Sequence, residues 1–199
     1  MNTTDTRKRS YRLKQRALRQ GETRRRIVDA TVKLHTTVGP AHTTIKAIAE
    51  WAGVERLTVY RHFPDMDALF QACTARSRVL WPPPEPAVWA SIADPRTRLN
   101  TALRDVYGYY QKRQDGLAVI MRDIDALPAW LQDALAAQKR VMVRALMRGW
   151  SNRSSRLLRA ALAHSIDFHT FRSLLHDQRL KLEEAIELMT QFVSRVGNR

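Results

Sequence analysis

Residues 43–63, TTIKAIAEWAGVERLTVYRHF, constrain the fold of this chain more than any other stretch. One apolar face at helical spacing is formed by Ile45, Ile48, Ala49 and Ala52. We expect Thr43 to be the N-cap of this short helix, because its hydroxyl can accept a hydrogen bond from an orphan amide, and Thr44 offers a second capping hydroxyl. Gly53 follows where a chain leaving a helix commonly takes a positive φ. A second short helix would then bury Val59 and Phe63, so the stretch predicts a helix-turn-helix.

The second helix of this motif turns six side chains outward: Arg56, Leu57, Thr58, Tyr60, Arg61 and His62. Such a face combines hydrogen-bond donors with one aromatic and one apolar group, which suits the edges and the backbone of a DNA duplex. We therefore expect this helix to enter the major groove.

The residues around the motif resemble the TetR family of bacterial transcriptional regulators. The resemblance covers roughly residues 23–70 and rests on Gly39, Thr43, Thr44, Ile48, Ala49, Ala52-Gly53-Val54, Tyr60-Arg61-His62-Phe63 and Ala68-Leu69-Phe70. It is more specific than a bare helix-turn-helix pattern because many spaced residues agree at once. It implies an all-α protein with an N-terminal three-helix helix-turn-helix DNA-binding domain and a C-terminal helical domain for ligand binding and dimerisation.

The resemblance also implies which side chains of the motif meet DNA. Phosphate contacts are implied for Thr43, Thr44, Lys46, Tyr60 and His62. Base contacts are implied for Arg56, Leu57, Thr58 and Arg61. Arginine to guanine is the commonest specific contact of this kind, and a leucine can lie on a thymine methyl group.

Positive charge is concentrated at the N-terminus. The 199 residues carry a formal net charge of +15, and residues 1–26 hold ten Lys or Arg against Asp5 and Glu22. Such basicity predicts attraction to a polyanion. We expect residues 1–21 to form a basic, flexible arm, either a solvated tail or a segment that reaches DNA and becomes helical there.

A long helix is predicted after this arm. Gly21 would separate it from the arm, Thr23 would cap it, and it would run to Val38. Its apolar stripe would consist of Ile27, Ala30, Leu34 and Val38. Arg24 and Arg25 crowd its first turn, where the helix dipole disfavours cations unless a phosphate lies nearby. Both are therefore included among the predicted DNA-binding residues.

The composition changes at residues 81–86, WPPPEP, which cannot continue a helix. We therefore assign residues 22–80 to the DNA-binding domain with its connecting helix, residues 81–93 to a Pro-rich linker, and residues 94–199 to a second helical domain. Helical patterns in the second domain cover Pro95–Tyr110, Gly116–Ala126, Pro128–Gly149, Ser154–Asp177 and Lys181–Val196.

In the TetR family the second domain holds a small-molecule pocket, and its last two helices pair with those of a second protomer. For this chain the resemblance implies a pocket lined by Trp89, Tyr107, Tyr110, Met121, Trp130 and His164. It implies a dimer interface at Leu157, Ala161, Phe168, Leu175, Ile186, Met189, Phe192 and Val193. The alternative for both sets is the core of a single domain. Asp123 and Asp125 would either orient a cationic ligand or lie at solvated helix ends.

These patterns favour a sequence-specific transcriptional regulator, acting as a ligand-responsive repressor and a homodimer on a palindromic operator. Its partners would be double-stranded DNA, a second copy of the chain and a small-molecule effector. The alternative is an architectural or constitutive DNA-binding protein that is driven by the arm and has no effector.

Other classes of function find little support in the sequence. A Gly-rich phosphate loop, a paired zinc motif and a recognisable Ser/His/Asp pattern are absent, so we expect neither an enzyme nor a metal or other cofactor. No run of eighteen apolar residues occurs, which predicts no membrane span. The N-terminus lacks the apolar core of a signal peptide, which favours a cytoplasmic protein.

Overall fold

The computed structural model describes residues 3–151 and 156–198, with side chains from residue 11 onward. Every regular element in these residues is helical, which confirms the predicted all-α class. The chain divides into two compact units. Unit 1 consists of Met1–Leu80 with Val119–Pro128, and unit 2 consists of Trp81–Ala118 with Ala129–Arg199.

Unit 1 is built around a helix-turn-helix. Its helices are α1 (Thr3–Thr37), α2 (Ile45–Ala52), α3 (Arg56–His62) and α4 (Met66–Leu80). Their apolar faces meet in one core of Ile27, Val28, Ala30, Leu34, Ile48, Ala49, Ala52, Val59, Phe63 and Leu69. Burying each large apolar side chain contributes about 1.5–3 kcal/mol, so this core holds the short helices α2 and α3 in place.

The long first helix differs from its prediction at both ends. α1 is continuous from Thr3 to Thr37, so Gly21 does not end a helix and Thr23 is not an N-cap. A helical Gly costs only about 1 kcal/mol relative to Ala, and strong helix formers surround this one. At the other end, the amides of Val38 and Gly39 both donate to Leu34 O, which closes the helix. Val38 therefore lies beyond the apolar stripe and is exposed, contrary to its predicted burial.

The turn between α2 and α3 forms as its residues predict. Gly53 has φ 61° in the left-handed region, and its amide donates to Ala49 O and Glu50 O at the end of α2. The predicted N-cap is displaced by one residue. Thr44 caps α2 by accepting from the Ala47 amide at 3.1 Å, whereas the Thr43 hydroxyl donates to Gly39 O. The hydroxyl of either threonine could cap the helix, but the Thr43 hydroxyl is already bonded to the nearby Gly39 carbonyl.

Unit 2 contains the remaining helices, and the last residues of one of them belong to unit 1. They are α5 (Pro86–Ala90), α6 (Pro95–Gln111), α7 (Gln114–Arg122), α8 (Ala129–Leu146), α9 (Arg156–Ser165), α10 (Phe168–Arg172) and α11 (Leu182–Gly197). A single helix was predicted over Ser154–Asp177, but α9 and α10 are separate. Asp167 caps α10 by accepting from the His169 amide, and a short π-helix follows at Ser173–Asp177. The predicted start at Ser154 lies outside the described residues.

The segment predicted as a Pro-rich linker is partly structured. Pro86 begins α5, where its fixed φ and missing N–H suit the first turn of a helix. Trp89 on α5 is fully buried, and its Nε1 donates to Asp105 Oδ2 at 2.7 Å. The second half of residues 81–93 therefore packs as part of unit 2.

A buried arginine connects two separate backbone segments in unit 2. Arg98 on α6 is 1% exposed, and its guanidinium donates to Ile92 O and Ala93 O. It also donates to Arg148 O, just beyond α8. These carbonyls satisfy the buried guanidinium, which would otherwise be costly to bury.

The residues predicted for the dimer interface divide into two groups. Five are buried within the protomer, and they are Ala161, Phe168, Ile186, Met189 and Val193. Side chains that already pack inside one protomer leave little surface for a partner, so these five are core residues. Leu175 is half-buried, whereas Leu157 and Phe192 are exposed by 72% and 42%.

Candidate nucleic-acid interface

Helix α3 is oriented by the residues it buries. Val59 and Phe63 are exposed by 0% and 2%, and they lie one helical turn apart on the same side. Glu55 precedes the helix without a side-chain cap, and its carbonyl accepts from the Thr58 amide instead. The buried face is thus fixed, and the opposite face of α3 must point away from the core of unit 1.

The outward face of α3 carries most of the predicted DNA-binding residues. Exposed side chains belong to Arg56, Leu57, Tyr60 and Arg61. Thr58 and His62 are half-buried on one flank of the same helix. The helix thus presents two guanidiniums, a phenol and an isobutyl group together, a set that can contact phosphates, base edges and a thymine methyl group.

The start of α2 provides further polar groups. Lys46 is exposed and forms a long ion pair of 3.9 Å with Glu50 one turn later. The Thr44 side chain is exposed but is used as the cap, and Thr43 is half-buried against the Gly39 carbonyl. Of these three predicted residues, Lys46 has the polar group that is most available to a phosphate, because its ammonium is exposed and only loosely paired.

Arg24 and Arg25 are both exposed on α1, but only one has a partner near the motif. The Arg24 guanidinium lies over the Phe63 ring, 4.5 Å from its centroid. This cation–π contact places a positive charge beside the C-terminal end of α3.

Several residues of the basic arm lie beside α3, although they were not among the predicted DNA-binding residues. An open groove of about 550 Å³, which we call the arm groove, is lined by Tyr11, Arg12, Gln15, Arg16, Arg19, Gln20, Thr23, Thr58 and His62. The spacing of Arg12, Arg16 and Arg19 (i, i+4, i+7) could have revealed this shared face once α1 was extended through the arm.

A histidine inside unit 1 supports the packing of α1 on α4. His35 stacks on Phe70 with ring centroids 4.8 Å apart, and its Nδ1 lies 3.6 Å from Cys73 Sγ. Burial lowers the pKa of His35 from 6.5 to about 4 and raises the pKa of the Cys73 thiol to about 12. Both groups are therefore neutral near pH 7.

A carboxylate anchors the segment between α1 and α2. Asp123 accepts from the Ala41 amide at 3.2 Å, and Arg122 Nη2 donates to Val38 O. The Arg122 side chain also hydrogen-bonds Asp123, which holds the pKa of that carboxyl below its ordinary value. Gly39 has φ 102°, and a Cβ there would lie 2.1 Å from Asp123 Oδ2. Asp123 is buried, so it is not the solvated helix end that was one of its predicted alternatives.

The predicted ligand-lining residues occupy different environments. Tyr107 is buried and donates to Ser165 O at 2.8 Å, and Tyr110 donates to Ile166 O at 2.9 Å. Trp89 is buried as described above, and His164 is exposed. Trp130 is half-buried, and its buried Nε1 has no hydrogen-bond partner within the described residues. Met121 belongs to unit 1, whereas the other five belong to unit 2.

Two further observations concern the described part of the chain. Within it, no group of three or more His, Cys, Asp or Glu side chains is arranged to hold a metal ion. None of its helices is both long and apolar enough to cross a membrane. The Asp167 carboxylate, which lies close in sequence to His164 and His169, forms an ion pair with Lys139 Nζ at 2.5 Å.

Comparison with solved structures identifies the fold of the whole chain. A TetR-like transcriptional regulator from Rhodococcus sp. RHA1 is 20% identical, with a TM-score of 0.64 over 87% of this chain and 94% of that one. A Clostridium perfringens protein described as a candidate fatty acid metabolism regulator is 18% identical, with a TM-score of 0.61 over 85% and 97%. A TetR transcription regulator from Haloarcula marismortui ATCC 43049 is 16% identical, with a TM-score of 0.56 over 88% and 98%.

Comparison of the sequence assigns the N-terminal part to a family. Residues 27–73 match the model for bacterial regulatory proteins of the tetR family. No curated protein matches the chain. The matched residues contain α2, the turn and α3, and the fold similarity extends over both units. Residues 27–73 therefore match the tetR family of bacterial regulatory proteins, and the chain as a whole has the fold of the TetR-like regulators described above.

Proposed function

We propose that this protein is a sequence-specific transcriptional repressor that binds a palindromic operator as a homodimer and releases it when a small molecule occupies unit 2. The proposal rests chiefly on the outward face of α3. Val59 and Phe63 are buried in the core of unit 1, and Leu57 and Arg61 are exposed on the opposite face of the helix. A helix held in this manner can enter the major groove as a rigid body.

Exposed apolar side chains support the dimeric part of the proposal. Leu157 on α9 and Leu188 and Phe192 on α11 are exposed by 72%, 44% and 42%. Water-exposed groups of this size on two packed helices suit an interface between two copies of the chain. A two-fold dimer would present two α3 helices to the two halves of a palindrome.

An unpaired donor supports the small-molecule part of the proposal. Trp130 Nε1 is buried without a partner among the described residues, and an unmet buried donor costs about 1–3 kcal/mol. A small molecule with a hydrogen-bond acceptor placed at Trp130 Nε1 would remove that cost.

The proposal is tested by selecting bound sequences from random duplex DNA with the full-length protein at near-physiological salt. We expect an enriched palindrome whose half-sites are about one helical turn apart. Arg56→Ala and Arg61→Ala should each relax the preference at particular bases by about 1–3 kcal/mol. Tyr60→Phe and His62→Ala should weaken binding to all sequences similarly. Arg78→Ala, which removes an exposed cation from α4, serves as the control.

Two outcomes would contradict the proposal in different ways. If all four α3 variants bound the enriched sequence like the wild type, α3 would not be the reading helix. If no sequence were enriched despite tight binding at low salt, the protein would be a constitutive, architectural DNA binder. The cations of the arm groove favour this second candidate, because phosphate contacts alone give affinity without sequence preference.

A further inference from the structure

The arm groove is a surface shared by the basic arm and the DNA-reading helix. Arg12, Arg16 and Arg19 recur at one helical face of α1 and extend over about 10 Å of its axis. Thr58 and His62, which are one turn apart on α3, form the opposite wall. The groove is therefore lined by hydrogen-bond donors on both sides.

The positive charge of this groove is not neutralised within the described chain. Arg12, Arg16 and Arg19 are exposed, and none of them pairs with a carboxylate among the side chains from residue 11 onward. Arg76 of the same unit, in contrast, pairs with Asp29 at 2.7 Å. Three close, unpaired guanidiniums repel one another, so an anion between the walls would be stabilised.

The remaining lining residues indicate the form of that anion. Gln15, Gln20 and Thr23 add neutral polar groups along the same face, and Gln15 Nε2 donates to Tyr11 OH at 3.4 Å. A guanidinium can donate two parallel hydrogen bonds to a phosphate, and amides and hydroxyls can add single bonds. The groove is open, and its lining on α1 runs from Tyr11 to Thr23, over about 18 Å of the helix axis, which suits a chain of phosphates better than one small anion.

We propose that the arm groove holds the sugar–phosphate backbone of the duplex whose bases α3 reads. Arg12, Arg16 and Arg19 contact neighbouring phosphates of one strand, and His62 contacts that strand from the other wall. This inference rests on the proposed function, because it places the two binding elements on the same duplex. The contacts supply affinity without base preference and position α3 along the major groove.

The test compares two triple variants that remove equal charge from the full-length protein. The groove variant carries Arg12→Gln, Arg16→Gln and Arg19→Gln. The control carries Lys14→Gln, Lys33→Gln and Arg78→Gln, three exposed cations of unit 1 that do not line the groove. The dependence of log K on log salt concentration is measured with the selected duplex and with a scrambled duplex. Helix content by circular dichroism verifies that both variants fold.

We expect the groove variant to lower the salt slope by about 0.9 per lost contact, or about 2.7 in total, on both duplexes. The control should retain most of the wild-type slope. Ethylation of single phosphates should block the wild type at a short run on one strand, and the groove variant should become insensitive at that run alone. An equal decrease in slope for both triple variants would overturn the inference.

Helix continuity gives a second, independent readout. Gly21→Ala keeps α1 continuous, because nothing lies within 4 Å of the added Cβ, whereas Gly21→Pro interrupts the helix between the two parts of the groove. We expect the proline variant to lose the same ethylation-sensitive run and the alanine variant to keep it. If the proline variant kept the run, the arm would act as a flexible charge and the groove would not be the binding element.

The inference and the proposed function can fail separately. The ratio of affinities for the selected and scrambled duplexes tests sequence-specific reading, and the slope difference between the two triple variants tests the groove. A groove-dependent slope without any sequence preference would refute the proposed function and leave phosphate binding in the groove intact. Stronger arginine-dependent binding to RNA or to phosphatidylserine vesicles than to duplex DNA would overturn the groove's assignment to DNA.

Discussion

Replacing His35 by leucine should change how the stability of this protein depends on pH. The imidazole is 5% exposed between α1 and α4, with Phe70 on its face and Cys73 Sγ at its Nδ1. Its Nε2 has no hydrogen-bond partner within the described residues. Burial lowers the pKa of His35 from 6.5 to about 4, since the charged imidazolium cannot be solvated there.

The magnitude follows from the difference between the folded and unfolded pKa values. As the pH falls below 6.5, His35 becomes protonated in the unfolded chain, whereas in the folded chain it stays neutral until about pH 4. The unfolded state is therefore stabilised by about 1.36 kcal/mol per pH unit across this window, or about 3 kcal/mol in total. The contribution of a neutral His35 to folding is complete above pH 6.5 and is lost as the pH falls.

The measurement is urea unfolding of the wild type and of His35→Leu at about pH 7 and at about pH 5, followed by circular dichroism. Between these two conditions the wild type should lose about 2 kcal/mol more than the variant. Acidic groups elsewhere titrate in both proteins and cancel in the difference. At pH 7 the variant should be about as stable as the wild type, since it removes an unsatisfied nitrogen. Equal losses in the two proteins would refute the buried, neutral histidine as the cause.

Two further predictions concern the backbone. Arg98→Met should destabilise unit 2 by about 3 kcal/mol in urea unfolding because the carbonyls of Ile92 and Arg148 lose their donor, and Arg98→Lys should recover only part of this loss. A loss below about 1 kcal/mol would show that water replaces the guanidinium. Gly53→Ala should cost about 1–2 kcal/mol at φ 61°, whereas the control Gly108→Ala, inside α6 with open space at its Cβ, should stabilise by about 0.5–1 kcal/mol. Equal effects of the two alanines would refute the assigned turn geometry.

Features that depend on a few neighbouring residues were predictable from the sequence. Gly53 takes the left-handed conformation, Asp65 caps α4 by accepting from the Ala68 amide, and Val59 and Phe63 are buried on one face of α3. Each of these depends on local sterics, on one short hydrogen bond or on helical periodicity. Which of the two threonines caps α2 was not predictable from the sequence, because it depends on where the Gly39 carbonyl lies.

Features that depend on distant segments were not predictable. Asp123 reads as a surface residue from its neighbours, but it lies 82 positions from Ala41, whose amide donates to it. The apolar periodicity of α9 and α11 does not distinguish the inside of a protomer from an interface, and the structure places Ala161 and Val193 in the core. A periodic pattern specifies which side of a helix is apolar but not what covers that side.

The sequence by itself determined the helical class, the helix-turn-helix and the outward set of residues on α3, because local hydrogen bonding and periodicity decide these. Only the tertiary structure decided that the basic arm continues α1 past Gly21 and faces Thr58 and His62 across a groove. The physical reason is that a helical glycine is a small and compensable cost, while the position of α3 beside α1 is set by their common core. The count of charges along the chain showed an excess of positive charge, but only the packing of the helices showed where that charge lies relative to α3.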